Sequence, residues 1–164
     1  RSRTGTPGPF GGSLAAMART PLSPDALAAA LAALPGWAGD AAGIRRYPYQ
    51  DYPLTYANVD GGEVHNDGEI YAGAMWRVLQ NYLAAGLTVD DLYGDFVDGM
   101  NFTPSTPAFE DMRDGMLQSA AGTGRECLIW RGFAASGIGV GADGRVAPSG
   151  SVTIVQSFTV PPGC

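Results

Sequence analysis

Lysine is missing from this chain of 164 residues, and histidine occurs only once. All ten basic side chains are therefore arginines, and the sixteen acidic ones bring the net charge to -6. An acidic chain without a basic cluster lacks the electrostatic footprint of a nucleic-acid-binding protein. A single histidine also excludes any catalytic zinc site that takes two histidines from this chain.

Long apolar runs are missing as well, since none approaches the roughly 20 residues that a membrane-spanning helix requires. With 45% hydrophobic and 10% aromatic residues, the chain can still bury the core of one ordinary domain. We therefore expect neither nucleic acid nor a membrane among its partners. Because the chain begins at Arg1, we expect no intact signal peptide and a processed, cut or truncated product.

Cysteine is scarce, with Cys127 inside the sequence and Cys164 at its end. An even count with one member at the C-terminus favours a disulfide that staples the tail, and two free thiols are the alternative. A bridge between these positions would stabilise the fold by about 4 kcal/mol in a chain-entropy treatment. We predict the disulfide and, with it, an oxidising, extracellular setting.

The chain divides into two parts by composition. Residues 1–22 are rich in Gly, Pro, Thr and Arg without periodicity, which predicts a flexible arm or linker. Residues 23–164 are predicted to form a mainly helical lobe, because apolar residues recur at helical spacing between start and stop signals. The predicted helices begin near Ser23, Asn66, Thr88, Thr106 and Gly124. Only residues 151–160 are enriched in β-branched residues, which predicts one short terminal strand.

The only histidine, His65, lies at the start of a predicted helix, five residues after Asp60. An imidazole held by a carboxylate on one ring nitrogen can donate a hydrogen bond from the other to a developing oxyanion. Asp60 is suited to hold the ring if Gly61 and Gly62 turn the backbone. A capping or packing histidine at a helix start is the alternative, and spacing alone does not decide between the two.

The surroundings of His65 carry a resemblance. Residues 60–65, Asp-Gly-Gly-Glu-Val-His, are similar to the Asp-x-Gly-x-Val-His segment of thermolysin-like zinc peptidases. Over about residues 43–141 the chain resembles the C-terminal part of the fungalysin family of secreted metallopeptidases. The matching short motifs occur in the same order as in the family: Gly-Ile-Arg-Arg-Tyr-Pro-Tyr at 43–49, Pro-Leu-Thr-Tyr at 53–56, Val-His at 64–65, Asp-Gly-Met at 98–100, Glu-Cys-Leu-Ile-Trp at 126–130 and Gly-Ile-Gly at 137–139.

This resemblance implies a thermolysin-like C-terminal helical lobe that faces a zinc-bound water across a substrate cleft. His65 would stabilise the oxyanion and Asp60 would orient its ring. Arg45 would hydrogen-bond a substrate carbonyl, with Arg46 as a substitute and an ordinary salt bridge as the alternative. The implied partners are a peptide or protein substrate and the N-terminal, zinc-bearing part of the peptidase.

The His-Glu-x-x-His motif, which supplies two zinc ligands and the general base, does not occur in the sequence. Zinc is therefore expected to be bound by an N-terminal part and not by this chain, which alone is predicted to be inactive. Glu63 and Glu69 are poor zinc ligands, because Glu63 lies in the orienting turn and Glu69 in the first turn of a helix. The alternative function is a non-catalytic module that binds peptides or inhibits a protease.

Two further patterns predict structure rather than chemistry. The stretch Gly-Ile-Gly-Val-Gly at 137–141 is predicted to form a turn, because a dinucleotide site would need a preceding strand and a following helix. Four aspartates recur at helical spacing and could attract calcium, but a solvated helix face is the favoured interpretation: Asp90, Asp91, Asp95 and Asp98.

Overall fold

The computed structural model describes residues 45–164, which form a helical body with a small sheet near the C-terminus. The predicted fold class, mainly α with a short terminal β element, is confirmed. The predicted arm of residues 1–22 and the helix predicted from Ser23 lie outside the described residues. The helices are numbered α1 (Val64–Ala84), α2 (Val89–Gly99), α3 (Phe109–Ser119) and α4 (Glu126–Ala134), and short 3-10 turns cover Tyr56–Asn58 and Met100–Phe102.

Local side-chain contacts determine where the helices begin and end. Thr88 and Asp91 form a reciprocal capping box at α2, in which Thr88 N donates to the Asp91 carboxylate at 2.8 Å. At the start of α3, Ala108 N donates to the carboxylate of Asp111 at 2.8 Å. Helix α1 stops before Gly86, whose φ of +80° is the left-handed conformation that commonly ends a helix.

The core lies where α1 packs against α4 and α2 packs against α3. Small residues allow these helices to approach closely, because a Cβ on Gly132 of α4 would lie 2.6 Å from Val78 N of α1. Burial of large apolar side chains between the helices supplies most of the stabilisation. The fully buried ones include Tyr82, Met116, Ile129 and Phe133.

The chain ends in a two-stranded antiparallel sheet of β1 (Asp143–Val146) and β2 (Val152–Val155), in which Val146 pairs with Val152. The prediction of a single strand at 151–160 was wrong on two points. Strand β2 occupies only part of that range, and β1 was missed because its sequence, Asp-Gly-Arg-Val, contains one β-branched residue.

Tertiary contacts compensate for the weak strand propensity of β1. Gly144 N donates to one carboxylate oxygen of Glu110 at 2.6 Å, and the Tyr56 hydroxyl donates to the other at 2.5 Å. Glu110 belongs to the first turn of α3. The hairpin is therefore joined to both α3 and the turn at Tyr56–Asn58, which line one side of the site described below.

Cys127 and Cys164 form a disulfide, with their Cα atoms 5.0 Å apart. The C-terminus is also bound by Arg131 of α4, whose Nε donates to the Cys164 carbonyl at 2.8 Å. The disulfide and this hydrogen bond therefore hold the C-terminal residue against α4. None of the described helices is both long and apolar enough to cross a membrane.

The aspartates of α2 do not all lie on a solvated face. Asp95 is 4% exposed and binds the Arg125 guanidinium through both carboxylate oxygens, at 2.8 and 2.7 Å. The Tyr82 hydroxyl donates to the same carboxylate at 2.6 Å. The solvated-face prediction was therefore wrong for Asp95, because its partners come from α1 and from the turn before α4.

Candidate active site

Residues 59–63, the segment before α1 that we call the His65 loop, form a tight loop in which carboxylates bind backbone amides. Gly61 has a φ of +73°, in the left-handed region that favours glycine. Its N–H donates to the carboxylate of Asp67, in the first turn of α1, at 2.9 Å. The Asp60 carboxylate accepts from Gly62 N at 2.7 Å. These bonds tie the loop to the start of α1 and so determine where His65 is presented.

Glu63 caps α1, since its Oε2 accepts from Asn66 N at 2.8 Å. The other oxygen, Oε1, lies 2.6 Å from Nδ1 of His65. The hydrogen bond with His65 is the main cause that holds the pKa of Glu63 below its usual range. The His65 side chain is 81% exposed, and Nε2 has no hydrogen-bond partner among residues 45–164.

The sequence predicts that Asp60 holds the ring of His65, but within the described part of the chain no hydrogen bond joins the two. Asp60 faces Gly62 N instead, and Glu63 contacts the ring. Sequence reasoning missed this role of Glu63. The signal that could have revealed it is a carboxylate at the N-cap, where a side chain turns back towards the first turn. The catalytic roles of His65 and Asp60 stay predictions.

The two arginines before α1 have different surroundings. Arg46 Nε forms an ion pair with the buried Glu69 carboxylate at 3.0 Å, and the Tyr52 hydroxyl donates to the same oxygen at 3.1 Å. Burial and then the bond to Glu69 raise the pKa of Tyr52 to about 12. Arg46, although its side chain is 40% exposed, is therefore engaged by the buried Glu69 carboxylate. Arg45 is exposed, and its contact with substrate stays a prediction.

A groove of about 460 Å³ adjoins the His65 loop. Gly61 and Asp67 line it on the loop side. The rest of the lining is mostly apolar and comes from the turn at Tyr56, the start of α3 at Phe109, and the hairpin at Ile154. Concave surfaces of this kind, apolar with a few polar groups, are typical of ligand-binding sites.

The sequence matches the model of a known family over most of its length. The family is described as Fungalysin metallopeptidase (M36), and the match covers residues 14–142. This range includes the whole His65 loop, helices α1 to α4 and the glycine-rich turn. The chain belongs to the fungalysin family. The match also extends the resemblance at 43–141 towards the N-terminus.

The curated relatives that this chain matches are much longer than the chain itself. The extracellular metalloproteinase of Aspergillus terreus is 34% identical over 150 residues, which cover 77% of this chain and 23% of the relative. That of Leptosphaeria maculans is 33% identical over 150 residues, covering 76% and 23%. That of Aspergillus fumigatus is 36% identical over 131 residues, covering 65% and 21%. The chain therefore spans less than a quarter of the length of these relatives.

The described residues of this fungalysin chain do not fit a zinc ion. No group of three His, Cys, Asp or Glu side chains within residues 45–164 is arranged to hold a metal. His65 is bonded to Glu63, and Glu69 is paired with Arg46. A site of two histidines and one glutamate cannot be built from a chain with one histidine.

Replacing Gly61 with alanine is expected to lower the free energy of unfolding by about 1–3 kcal/mol. The alanine would have to adopt a φ of +73°, and its Cβ would lie 2.5 Å from Cγ2 of Val152. The measurement is urea unfolding followed by circular dichroism. Gly68→Ala is the matched control, since it lies inside α1 with open space around it and should stabilise the helix by about 0.5–1 kcal/mol. Equal stability of Gly61→Ala and the wild type would contradict the loop geometry.

Proposed function

We propose that this chain is the C-terminal lobe of a secreted zinc metalloendopeptidase and supplies the oxyanion-stabilising side of the active site. The presentation of His65 carries the proposal. Its side chain is 81% exposed, with a carboxylate on Nδ1 and no partner on Nε2 among residues 45–164, and the loop before it contributes Gly61 to the lining of the groove. Membership of the fungalysin family supports peptide-bond hydrolysis as the reaction. The zinc ligands and the general base would lie in an N-terminal part.

Hydrolysis of a peptide bond places negative charge on the carbonyl oxygen as the tetrahedral intermediate forms. A donor aimed at that oxygen lowers the barrier most when it is oriented before the charge appears. The carboxylate on Nδ1 of His65 determines the direction of the ring, and Nε2 would donate to the oxyanion when both ring nitrogens carry a proton. Asp60 would act on this arrangement through the turn, by binding Gly62 N. Arg45 would hydrogen-bond a substrate carbonyl beside the cleavage point.

The lengths and names of the relatives support a proposal for the partner of this chain and for its cellular location. Because the chain spans 23% of the Aspergillus terreus metalloproteinase, its partner would be the N-terminal, zinc-bearing part of the same peptidase. The two parts would share a peptide or protein substrate. The relatives are named extracellular metalloproteinases, and disulfides such as Cys127–Cys164 persist in oxidising compartments. We therefore propose a secreted, extracellular protein.

The chain alone is expected to be inactive, because it lacks the His-Glu-x-x-His motif. The measurement is hydrolysis of a quenched fluorescent peptide by residues 1–164 with added zinc. The same assay is then run after mixing the chain with the zinc-bearing N-terminal part of a fungalysin relative. We expect turnover only in the mixture. Specific hydrolysis by the purified chain alone would contradict the proposal, as would a mixture no more active than the N-terminal part.

The apolar groove favours a second candidate function, a non-catalytic module that binds peptides or inhibits a related protease. Such a module would bind peptides without the zinc-bearing part and would not increase hydrolysis on mixing. Titration calorimetry of the chain with peptides, read beside the mixing assay, separates the two candidates. Tight peptide binding together with unchanged or reduced hydrolysis would favour the module.

A further inference from the structure

Glu63 uses its two carboxylate oxygens for two different contacts. Oε2 accepts from Asn66 N at 2.8 Å and caps α1, while Oε1 lies 2.6 Å from Nδ1 of His65. The bond to His65 is the first cause of the lowered pKa of Glu63. The carboxylate is therefore ionised at neutral pH and has no proton to donate. Nδ1 must carry the proton of this hydrogen bond, and Nε2 is the nitrogen that remains to meet a ligand.

We propose that Glu63, and not Asp60, is the positioning residue that orients the ring of His65 and keeps a proton on Nδ1. The other carboxylates of the loop are engaged with backbone amides, Asp60 with Gly62 N at 2.7 Å and Asp67 with Gly61 N at 2.9 Å. Glu63 therefore binds the ring while they shape the turn. The catalytic value of this contact rests on the proposed function, but the contact itself does not.

The first turn of α1 anchors Glu63 to the protein interior. Asn66 binds Glu63 through its N–H and accepts from Arg46 Nη2 through its carbonyl at 2.9 Å. Arg46 Nε in turn binds Glu69, which is 2% exposed. A buried, paired carboxylate resists displacement, because a move would leave a charge without its partner. An exposed imidazole held through this chain of contacts has less orientational freedom to lose when it meets a substrate.

Nitrogen NMR of the isotope-labelled chain tests the proposal directly, since His65 is the only histidine and its ring signals need no further assignment. At a pH where the ring is neutral, we expect the wild type to carry the ring proton on Nδ1. An imidazole surrounded by water carries it mainly on Nε2. Glu63→Ser keeps a preferred N-cap residue for α1 but cannot reach the ring. In this variant we expect the proton to move to Nε2.

Asp60→Asn is the matched control, because it removes the neighbouring charge and keeps an oxygen for Gly62 N. We expect it to leave the proton on Nδ1, and circular dichroism should show α1 intact in both variants. A wild-type ring protonated mainly on Nε2 would overturn the proposal without reference to any variant. A shift of the ring proton to Nε2 in Asp60→Asn, like the shift expected for Glu63→Ser, would also overturn the proposal.

These NMR outcomes do not depend on peptide hydrolysis, so the two proposals can fail separately. If the proton follows Glu63 but His65→Ala leaves hydrolysis by the mixed peptidase unchanged, the ring contact stands and the proposed function fails. If His65→Ala abolishes hydrolysis but the ring proton is insensitive to Glu63→Ser, the proposed function stands and the positioning role fails.

Discussion

Replacing His65 with alanine in the assembled peptidase is expected to lower kcat by about 10²- to 10³-fold. In the proposed mechanism the imidazole would donate to an oxygen that becomes charged only as the tetrahedral intermediate forms, and the variant would lose that stabilisation. The substrate ground state makes little use of that donor, so KM should change far less than kcat. The measurement is steady-state peptide hydrolysis by this chain mixed with the zinc-bearing N-terminal part of a fungalysin relative.

The control for this prediction is Gln118→Ala, which alters an exposed position near the C-terminal end of α3, whereas Phe109 at the other end lines the groove. It should leave kcat and KM unchanged. The zinc content of the mixture should be the same for the wild type and both variants. A kcat for His65→Ala equal to that of the wild type would remove the imidazole from the mechanism. His65 would then be better explained as a capping histidine at the start of α1.

Replacing Arg125 with methionine is expected to lower the free energy of unfolding by about 3–5 kcal/mol. Asp95 is 4% exposed and would lose both guanidinium contacts, at 2.8 and 2.7 Å. Only the Tyr82 hydroxyl would continue to bind the carboxylate among the partners that the structure describes. A buried charge without its counter-charge is costly, whereas methionine retains much of the packing volume. The measurement is urea unfolding with the disulfide intact.

Arg145→Met provides the matched control, because Arg145 also pairs with an aspartate, at 2.6 Å from Asp143. Both members of that pair are exposed, at 77% and 44%. Exposed pairs contribute about 1 kcal/mol or less, so this variant should unfold almost like the wild type. Equal losses for Arg125→Met and Arg145→Met would show that burial of Asp95 does not determine the effect.

The helices were the most predictable part of the fold, because their signals are local. Thr88 and Asp91, which form the capping box of α2, are only three residues apart in the sequence. Gly86, which marks the stop of α1, lies two residues after its last residue. Even here a boundary moved, since α3 was predicted from Thr106 and begins at Phe109. The carboxylate of Asp111 binds Ala108 N and so places the helix start later.

The site was only partly predictable. His65 could be singled out because it is the only histidine, lies at a helix start and belongs to a short motif that resembles the family. The carboxylate that contacts it could not, because Asp60 and Glu63 are both close enough in sequence to reach the ring. The left-handed turn at Gly61, together with the bond from Gly62 N to Asp60, leaves the ring to Glu63.

The sequence by itself determined the family, the helical character and the position of the lone imidazole at a helix start. These depend on hydrophobic periodicity, helix caps and short sequence motifs, each of which involves residues that are close together in the sequence. Only the tertiary structure decided that Asp95 is buried against Arg125, that β1 forms against Glu110, and that Arg46 pairs with the buried Glu69. Each of these depends on charges or amides brought together from distant parts of the chain, where desolvation leaves a polar group stable only if it finds a partner.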